Sequence, residues 1–403
     1  MSGAVIDPRL TPTRAAPRRR MTLSWSDPSF RNIVWQVLII GIVVAIGWYL
    51  VSNTQRNLAE RHIATGFDFL ERPAPIPIGE TLLSYTPSVS TYGHALLIGL
   101  LNTLKVAVVG VILATLLGTV IGVARLSPNW LIAKLAAVYV EVIRDIPVLL
   151  QLFFWYSLLR NLPPLQSALT PIPGVFLSNR GAQIPWLDGD ASYPWCALAF
   201  AVGAVGAWLL GKWATKRQEA TGLRPVTWPL TLALLVLPPL AVWLAAGAPF
   251  HLEIPQRSRF NFTGGAAITP EYFALTLGLV IYTAAYIAEI VRSGIQAVAI
   301  GQWEAAAALG LYRTQVLRQI VLPQALRVII PPMTSQYLNL TKNSSLAVAI
   351  GFQDLVSIAS TTLNQTGQPI EGIALIMAAY LIISLSISFF MNWYNARIAL
   401  VGR

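Results

Sequence analysis

Eight apolar stretches constrain this chain more than any other feature; they lie at about 33–51, 96–124, 134–159, 195–211, 227–247, 272–293, 326–350 and 372–394. A helix needs roughly 20 mostly apolar residues to cross the hydrocarbon core of a bilayer. Only helices and closed barrels satisfy their backbone groups in lipid, and these runs lack the alternation of barrel strands. The expected fold is therefore an all-α integral membrane protein of about eight transmembrane helices. The stretch 195–211, short and interrupted by glycines, is the weakest of the eight. Composition agrees: 11% of the residues are charged and 55% hydrophobic, against about a quarter charged in soluble domains.

The basic residues set the orientation. Arg9, Arg14 and Arg18-Arg19-Arg20 precede the first span and place the N-terminus in the cytoplasm. Alternation then puts Arg125 and Lys134 inside, followed by Lys212, Lys216, Arg217 and Arg224, then Arg313, Arg318 and Arg327, and finally Arg397 and Arg403. The stretches 52–95, 160–194, 248–271 and 351–371 fall outside; the two longest carry Glu60, Asp68, Glu71, Glu80, Asp188 and Asp190. Every basic-rich loop lands on one side, so the charge of +11 reads as a topology signal rather than a nucleic-acid patch. The first apolar run is about nineteen residues long, and no small-x-small site follows in Val51-Ser52-Asn53-Thr54-Gln55, so it is expected to be a retained helix, not a cleaved leader.

Between the sixth and seventh spans the chain reads Gly301-Gln302-Trp303-Glu304-Ala305-Ala306-Ala307-Ala308-Leu309-Gly310, and later Arg318-Gln319-Ile320-Val321-Leu322-Pro323. Trp303 to Leu309 is a run of helix formers with Gly310 as its C-terminal cap. A second helix is expected from about Arg313 to Val321, ending before Pro323. The alanines leave one face nearly bare, so another protein surface can approach closely. The pattern Glu-Ala-Ala, Gly six residues after the Glu, then Ile-x-Leu-Pro resembles the EAA loop of ABC-importer permeases, with Glu304, Ala305, Ala306, Gly310, Ile320, Leu322 and Pro323 at the matching positions. In that family the loop forms a coupling helix that docks on the ATPase subunit.

Further stretches are similar to the polar amino acid permeases of that family, which serve histidine, arginine, glutamine, glutamate and opines. They include Asn102-Thr103-Leu104, Ala124-Arg125-Leu126-Ser127, Tyr139 to Pro147, Gln151 to Tyr156, Tyr282 to Arg292 and Lys342-Asn343-Ser344-Ser345-Leu346. The resemblance covers about 94–160 and 272–396. Long members of this kind resemble the permease subunits of general L-amino acid importers. It implies the type I permease core of ABC importers in two parts, 96–159 and 272–396, the second holding the coupling loop 295–325. Around these lie a cytoplasmic tail 1–32, a first helix 33–51, a periplasmic loop 52–95, an insertion 160–271 with two extra spans, and a tail 397–403. The resemblance further implies a multi-pass protein of the bacterial inner membrane with both termini cytoplasmic. Its expected partners are an ABC ATPase homodimer, a second permease as heterodimer partner, a periplasmic amino-acid-binding protein and membrane lipid, with no nucleic acid.

Ionisable residues in spans are costly and usually face protein or water. Glu141 and Arg144, and again Glu289 and Arg292, are three apart on a helix and can pair; either they pin helices or they line a path for a zwitterion. Lys342, Asn343 and Ser344 form a polar patch in the seventh span, as a path lining or as helix-to-helix hydrogen bonds. Pro147 is expected to kink the third span. No G-x-x-x-x-G-K-[ST] loop is present, so the chain is not expected to be an enzyme; ATP-Mg belongs on the partner ATPase, and no cofactor is expected here. Cys196 is the sole cysteine, and His62, His94 and His251 are far apart, so no metal site is expected. An ion-driven transporter, a channel and a membrane enzyme are the rivals; none accounts for the coupling-loop pattern.

Overall fold

A computed structural model describes residues 25, 28–60, 65–187, 192–223, 225–248, 250, 252–258 and 261–398. Arg9, Arg14, Arg18–Arg20, His62, Asp188, Asp190, Arg224, His251 and Arg403, used above, lie outside the described residues. The chain divides into two units, with the boundary after Gly66. The first holds α1 (Pro28–Glu60), an unbroken helix that continues through residues 51–55, with apolar side chains exposed along its length.

The second unit contains the remaining helices. They are α2 (Tyr92–Ala124), α3 (Trp130–Asp145), α4 (Val148–Arg160), α5 (Tyr193–Thr221), α6 (Trp228–Ala245), α7 (Pro270–Gln296), α8 (Ile300–Ala308), α9 (Arg313–Val316), α10 (Leu322–Asn343), α11 (Leu355–Thr366) and α12 (Pro369–Ile398). Among the described residues six helices, α1, α2, α5, α6, α7 and α12, are each long and apolar enough to cross a membrane. The α10–α11 stretch makes a seventh if its 53° bend belongs to one span.

The packing centre is α2 against α7, which run parallel: Lys105 meets Tyr272, Gly118 meets Ala284 and Ile287, and Gly122 meets Ala288 and Val291. Small residues at 110, 114, 118 and 122 make a smooth ridge on α2, and a Cβ added at Gly118 would lie 2.7 Å from Ile287 and 2.8 Å from the Ala284 carbonyl oxygen. At Gly122 it would lie 2.7 Å from the Ala288 carbonyl oxygen. Helices in lipid associate through close packing of small residues rather than hydrophobic expulsion. Ala284, Ala285 and Ala288 of α7, all fully buried, supply the facing surface.

The third expected span is two helices, not one. Ile146 takes an extended conformation (ψ 126°), as the residue before a proline prefers, and the helix restarts at Val148. The Gln151 side-chain amide donates to the carbonyls of Ile143 (2.8 Å) and Ile146 (3.0 Å), groups left open by the break. Pro147 therefore ends a helix rather than kinking one. The fourth span, the weakest in the sequence, is 29 residues long in α5; Gly203 lets α6 approach so closely that a Cβ would lie 2.0 Å from the Leu234 carbonyl oxygen.

Three stretches expected as outward loops, 160–194, 248–271 and 351–371, carry structure. Short strands β1 (Leu169–Ile172), β2 (Val175–Ser178), β3 (Gly181–Ile184), β4 (Trp186–Leu187), β5 (Leu252–Glu253), β6 (Gln256–Arg257), β7 (Phe262–Thr263) and β8 (Ala266–Ile268) flank the α5–α6 hairpin in sequence and pair across its open end. They form an antiparallel sheet ordered β1-β2-β3-β8 and two strand pairs, β4-β5 and β6-β7. The pairing of β3 with β8 closes the insertion at its base. In the stretch 351–371, α11 is capped by Asp354, whose carboxylate accepts from the Ser357 amide at 2.8 Å, and is ended by the left-handed Gly367.

Candidate functional site

The hairpin joining α7 to α10 is built for rigidity. After α8 the amide of Leu311 donates to the Ala306 carbonyl (3.2 Å) and that of Gly310 to Ala307 (3.0 Å), with Gly310 at φ +70°. These are the two closing bonds of a Schellman turn. The Tyr312 amide then donates to the Gln315 side chain (2.9 Å) at the start of α9. Trp303 and Ala306 turn toward the helical body, while Glu304, Ala305, Leu309 and Tyr312 are exposed. Gln324 reaches back to Gln302 at 3.4 Å.

The second hairpin helix does not end before Pro323. It passes through a π turn, Leu317–Val321, directly into α10. Proline lacks an amide and crowds the carbonyl four residues earlier; the wider π turn accommodates both, so the hairpin is continuous with a long helix. Ile320 packs on the core, Pro323 is half-buried and Leu322 is largely exposed. α9, the π turn and α10 thus form one continuous rod, joined to α8 through the turn at Gly310.

Gly310→Val places a β-branched residue in the left-handed region, a cost of about 1–2 kcal/mol. No neighbouring atom obstructs the added Cβ, so the effect is purely conformational. The expected result is faster hydrogen exchange at the Gly310 and Leu311 amide positions with unchanged membrane insertion, and a smaller effect for Gly310→Asn.

Behind the hairpin, Glu289 accepts from Arg292 (2.5 Å and 3.3 Å) and from Arg125. Arg292 also donates to Gln296 at 2.6 Å. The structure therefore adds Arg125, at the end of α2, to the Glu289–Arg292 pair. Glu141 and Arg144 do not pair: both are exposed, and the Arg144 guanidinium instead lies 4.9 Å from the centre of the Tyr286 ring. Tyr139 donates to the Ile281 carbonyl at 2.7 Å. Motif residues of α3 thus meet motif residues of α7.

The polar patch of α10 divides. Ser344 and Ser345 donate to the carbonyls of Thr341 and Lys342, both at 2.7 Å. Asn343 is half-buried, and Lys342 is exposed with no partner among the described residues. An ammonium group does not face lipid at this depth, so this flank of α10 belongs against water or protein.

Sequence reasoning missed a second polar knot. Lys105 lies about 20 Å along α2 from Tyr92, in the middle of an apolar run. Its ammonium is 2.7 Å from Glu80 and 4.0 Å from the centre of the Tyr272 ring. Glu80 also accepts from the Thr269 amide (2.9 Å) and hydroxyl (2.6 Å) at the start of α7. Asn102 donates to the carbonyls of Glu80 (3.0 Å) and Gln353 (2.9 Å), and Gln353 bonds Gly79 and Pro77. The segment 77–80 is therefore a plug tying α2, α7 and the 351–354 turn together. A lysine inside a span was the available signal; its partner lies in a loop.

Residues 209–400 match the family described as binding-protein-dependent transport system inner membrane component, beginning inside the insertion. The general L-amino acid transport system permease protein AapQ of Rhizobium johnstonii is 49% identical over 379 residues, 94% of each chain. The putative amino-acid ABC transporter permease protein YhdX of Escherichia coli is 50% identical over 388 residues, 95% of this chain and 98% of that one. The glutamate/glutamine/aspartate/asparagine transport system permease protein BztB of Rhodobacter capsulatus is 41% identical over 417 aligned positions, 95% of this chain and 97% of its own.

Proposed function

This chain belongs to the family of amino-acid ABC transporter permeases, and on that premise we propose that it forms half of the pore of a general L-amino acid importer. It is a multi-pass membrane permease subunit, and the substrate class is read from relatives that align along nearly its whole length, insertion included. The observation that carries the mechanism is the hairpin 295–325: one face is fixed to the body by Trp303 and Ala306, and the other presents Glu304, Ala305, Leu309 and Tyr312.

A separate ATPase homodimer binds ATP-Mg and engages that free face; this chain supplies no nucleotide site. As the ATPases close, the push passes through the π turn into α10 and rocks the permease against a second, non-identical one. The exposed Lys342 flank lies along the path between them. A periplasmic binding protein delivers the amino acid to the opposite side.

Three tryptophan–cation pairs support the orientation in the inner membrane. Lys212 stacks over Trp208 (3.8 Å), Arg217 over Trp213 (5.2 Å) and Arg397 over Trp393 (4.3 Å), each at the C-terminal part of α5 or α12. Such pairs suit the headgroup level on the cytoplasmic side, which supports a cytoplasmic C-terminus; the eight apolar stretches of the sequence support the same side for the N-terminus.

The test is uptake of labelled glutamate, histidine and leucine by cells with and without this chain, before and after ATP depletion. The expected result is chain-dependent uptake of all three that stops with ATP. Uptake that survives ATP depletion and stops when ion gradients are dissipated would sink the proposal in favour of secondary transport.

A further inference from the structure

We propose that the cleft between the coupling hairpin and the adjoining ends of α2, α3 and α7 is a binding site for one anionic phospholipid. The cleft has a volume of about 950 Å³. Its walls are largely apolar: Leu126 and Ile132 on the α2–α3 side, Ile295 at the end of α7, Trp303 on α8. Two arginines, Arg313 and Arg318, line it as well. Neither guanidinium has a hydrogen-bond or ion-pair partner among the described residues. The nearby Arg125 and Arg292 differ in this, because Glu289 holds both.

An apolar chamber beside two uncompensated cations calls for an amphiphile with a negative head. The cleft's position supplies the source. It opens where two apolar spans end, at Ala124 and Gln296, and where α10 begins. That is the level of the lipid headgroups, and basic pockets between spans at this level recognise anionic headgroups. The guanidinium fork suits a phosphate geometrically as well as electrostatically.

A docked protein is the other conceivable occupant, and the two faces of α8 argue against it. Ile300 and Trp303, three apart, face the cleft; Glu304, Ala305, Leu309 and Tyr312 do not line it. The surface available to a protein partner and the lipid cleft are thus on separate sides of the same helix. A lipid seated here would brace the hairpin from the membrane side and make coupling sensitive to the anionic lipid content.

The experiment isolates the complete transporter, permeases with ATPase, from bacterial membranes and measures phosphatidylglycerol and phosphatidylethanolamine retained per complex after exhaustive detergent washing. Wild type is expected to retain phosphatidylglycerol in preference. The R313Q/R318Q double variant is expected to bind it roughly thirtyfold more weakly, as loss of two surface-level cationic contacts implies. Ile132→Trp keeps both arginines and fills the chamber; it is expected to lower retention too, which separates the cleft from general surface charge. Equal retention by wild type and both variants, or no preference for the anionic lipid, overturns the proposal. So does a lipid that leaves when the ATPase is added back to permeases isolated without it, because the cleft then belongs to the protein interface.

Discussion

Gly118→Val is expected to remove most of the folded protein from the membrane. A Cβ there meets the Ile287 side chain at 2.7 Å and, more seriously, the Ala284 backbone oxygen at 2.8 Å. A side chain can rotate away, but a carbonyl in the middle of α7 moves only with its helix. Overpacking of this kind typically costs 1–3 kcal/mol, and with a backbone obstacle the upper end applies, about 3 kcal/mol. Because α2 against α7 is the central packing of the second unit, the loss falls on the whole bundle. Protein level and thermal aggregation temperature in detergent are the measurements. Gly41→Val is the control: it is also a glycine in an apolar helix, but nothing lies within 4 Å of its added Cβ. The expected contrast is a collapse at 118 and near-normal levels at 41; equal behaviour would mean that the small-residue ridge does not set the packing.

The second large effect is expected at the Lys105–Glu80 knot. The Glu80 side chain is 9% exposed and that of Lys105 29%. Breaking a pair of this burial by removing one partner leaves an uncompensated charge and typically costs 3–5 kcal/mol. Lys105→Met is the milder single change, because Thr269 still donates twice to Glu80. Glu80→Leu strands both the lysine and the Thr269 amide, so it is expected to be the more damaging. The double variant is expected to be less damaging than the sum of the singles, since no charge remains unpaired. Thermal stability of the purified complex across the four proteins gives the coupling directly. Strict additivity would mean that the two side chains do not act as a pair, and the 77–80 plug would then be held by Thr269, Asn102 and Gln353.

These two sites differ in how legible they are in the sequence. Helices α1, α2, α7 and α12 follow from the length of their apolar runs, and the α8 hairpin from a local pattern of Glu304, Ala305, Ala306 and Gly310. What depended on distant partners was hidden. Glu80 reads as one more acidic loop residue until Thr269, 189 positions away, is seen to bind it. Arg125 reads as a topology marker, yet it completes the Glu289 ion pair across 164 positions. The strands of the insertion are too short for period-two patterning to register. Other features carry local signals. Ile146-Pro147 predicts an extended residue and so a helix boundary, and Asp354 to Gly367 carries the cap signals of α11. The helical spacing of Glu141 and Arg144 permits a pair, but the aromatic face of Tyr286 takes the guanidinium instead.

The central claim is that ATP-driven work enters this chain through the exposed face of α8. The measurement that tests it most directly is ATP-dependent uptake of labelled glutamate, histidine and leucine by wild type and Glu304→Lys, with membrane insertion of both followed in parallel. Glu304 is exposed and has no ion-pair partner among the described residues, so reversing its charge leaves the chain's own packing intact. Placing a charge of the wrong sign at a protein interface typically costs several kcal/mol. The account predicts that Glu304→Lys inserts at the wild-type level and that its uptake falls to background for all three amino acids. Undiminished uptake by an inserted Glu304→Lys protein would contradict it, and the hairpin would then be an ordinary connection between two spans.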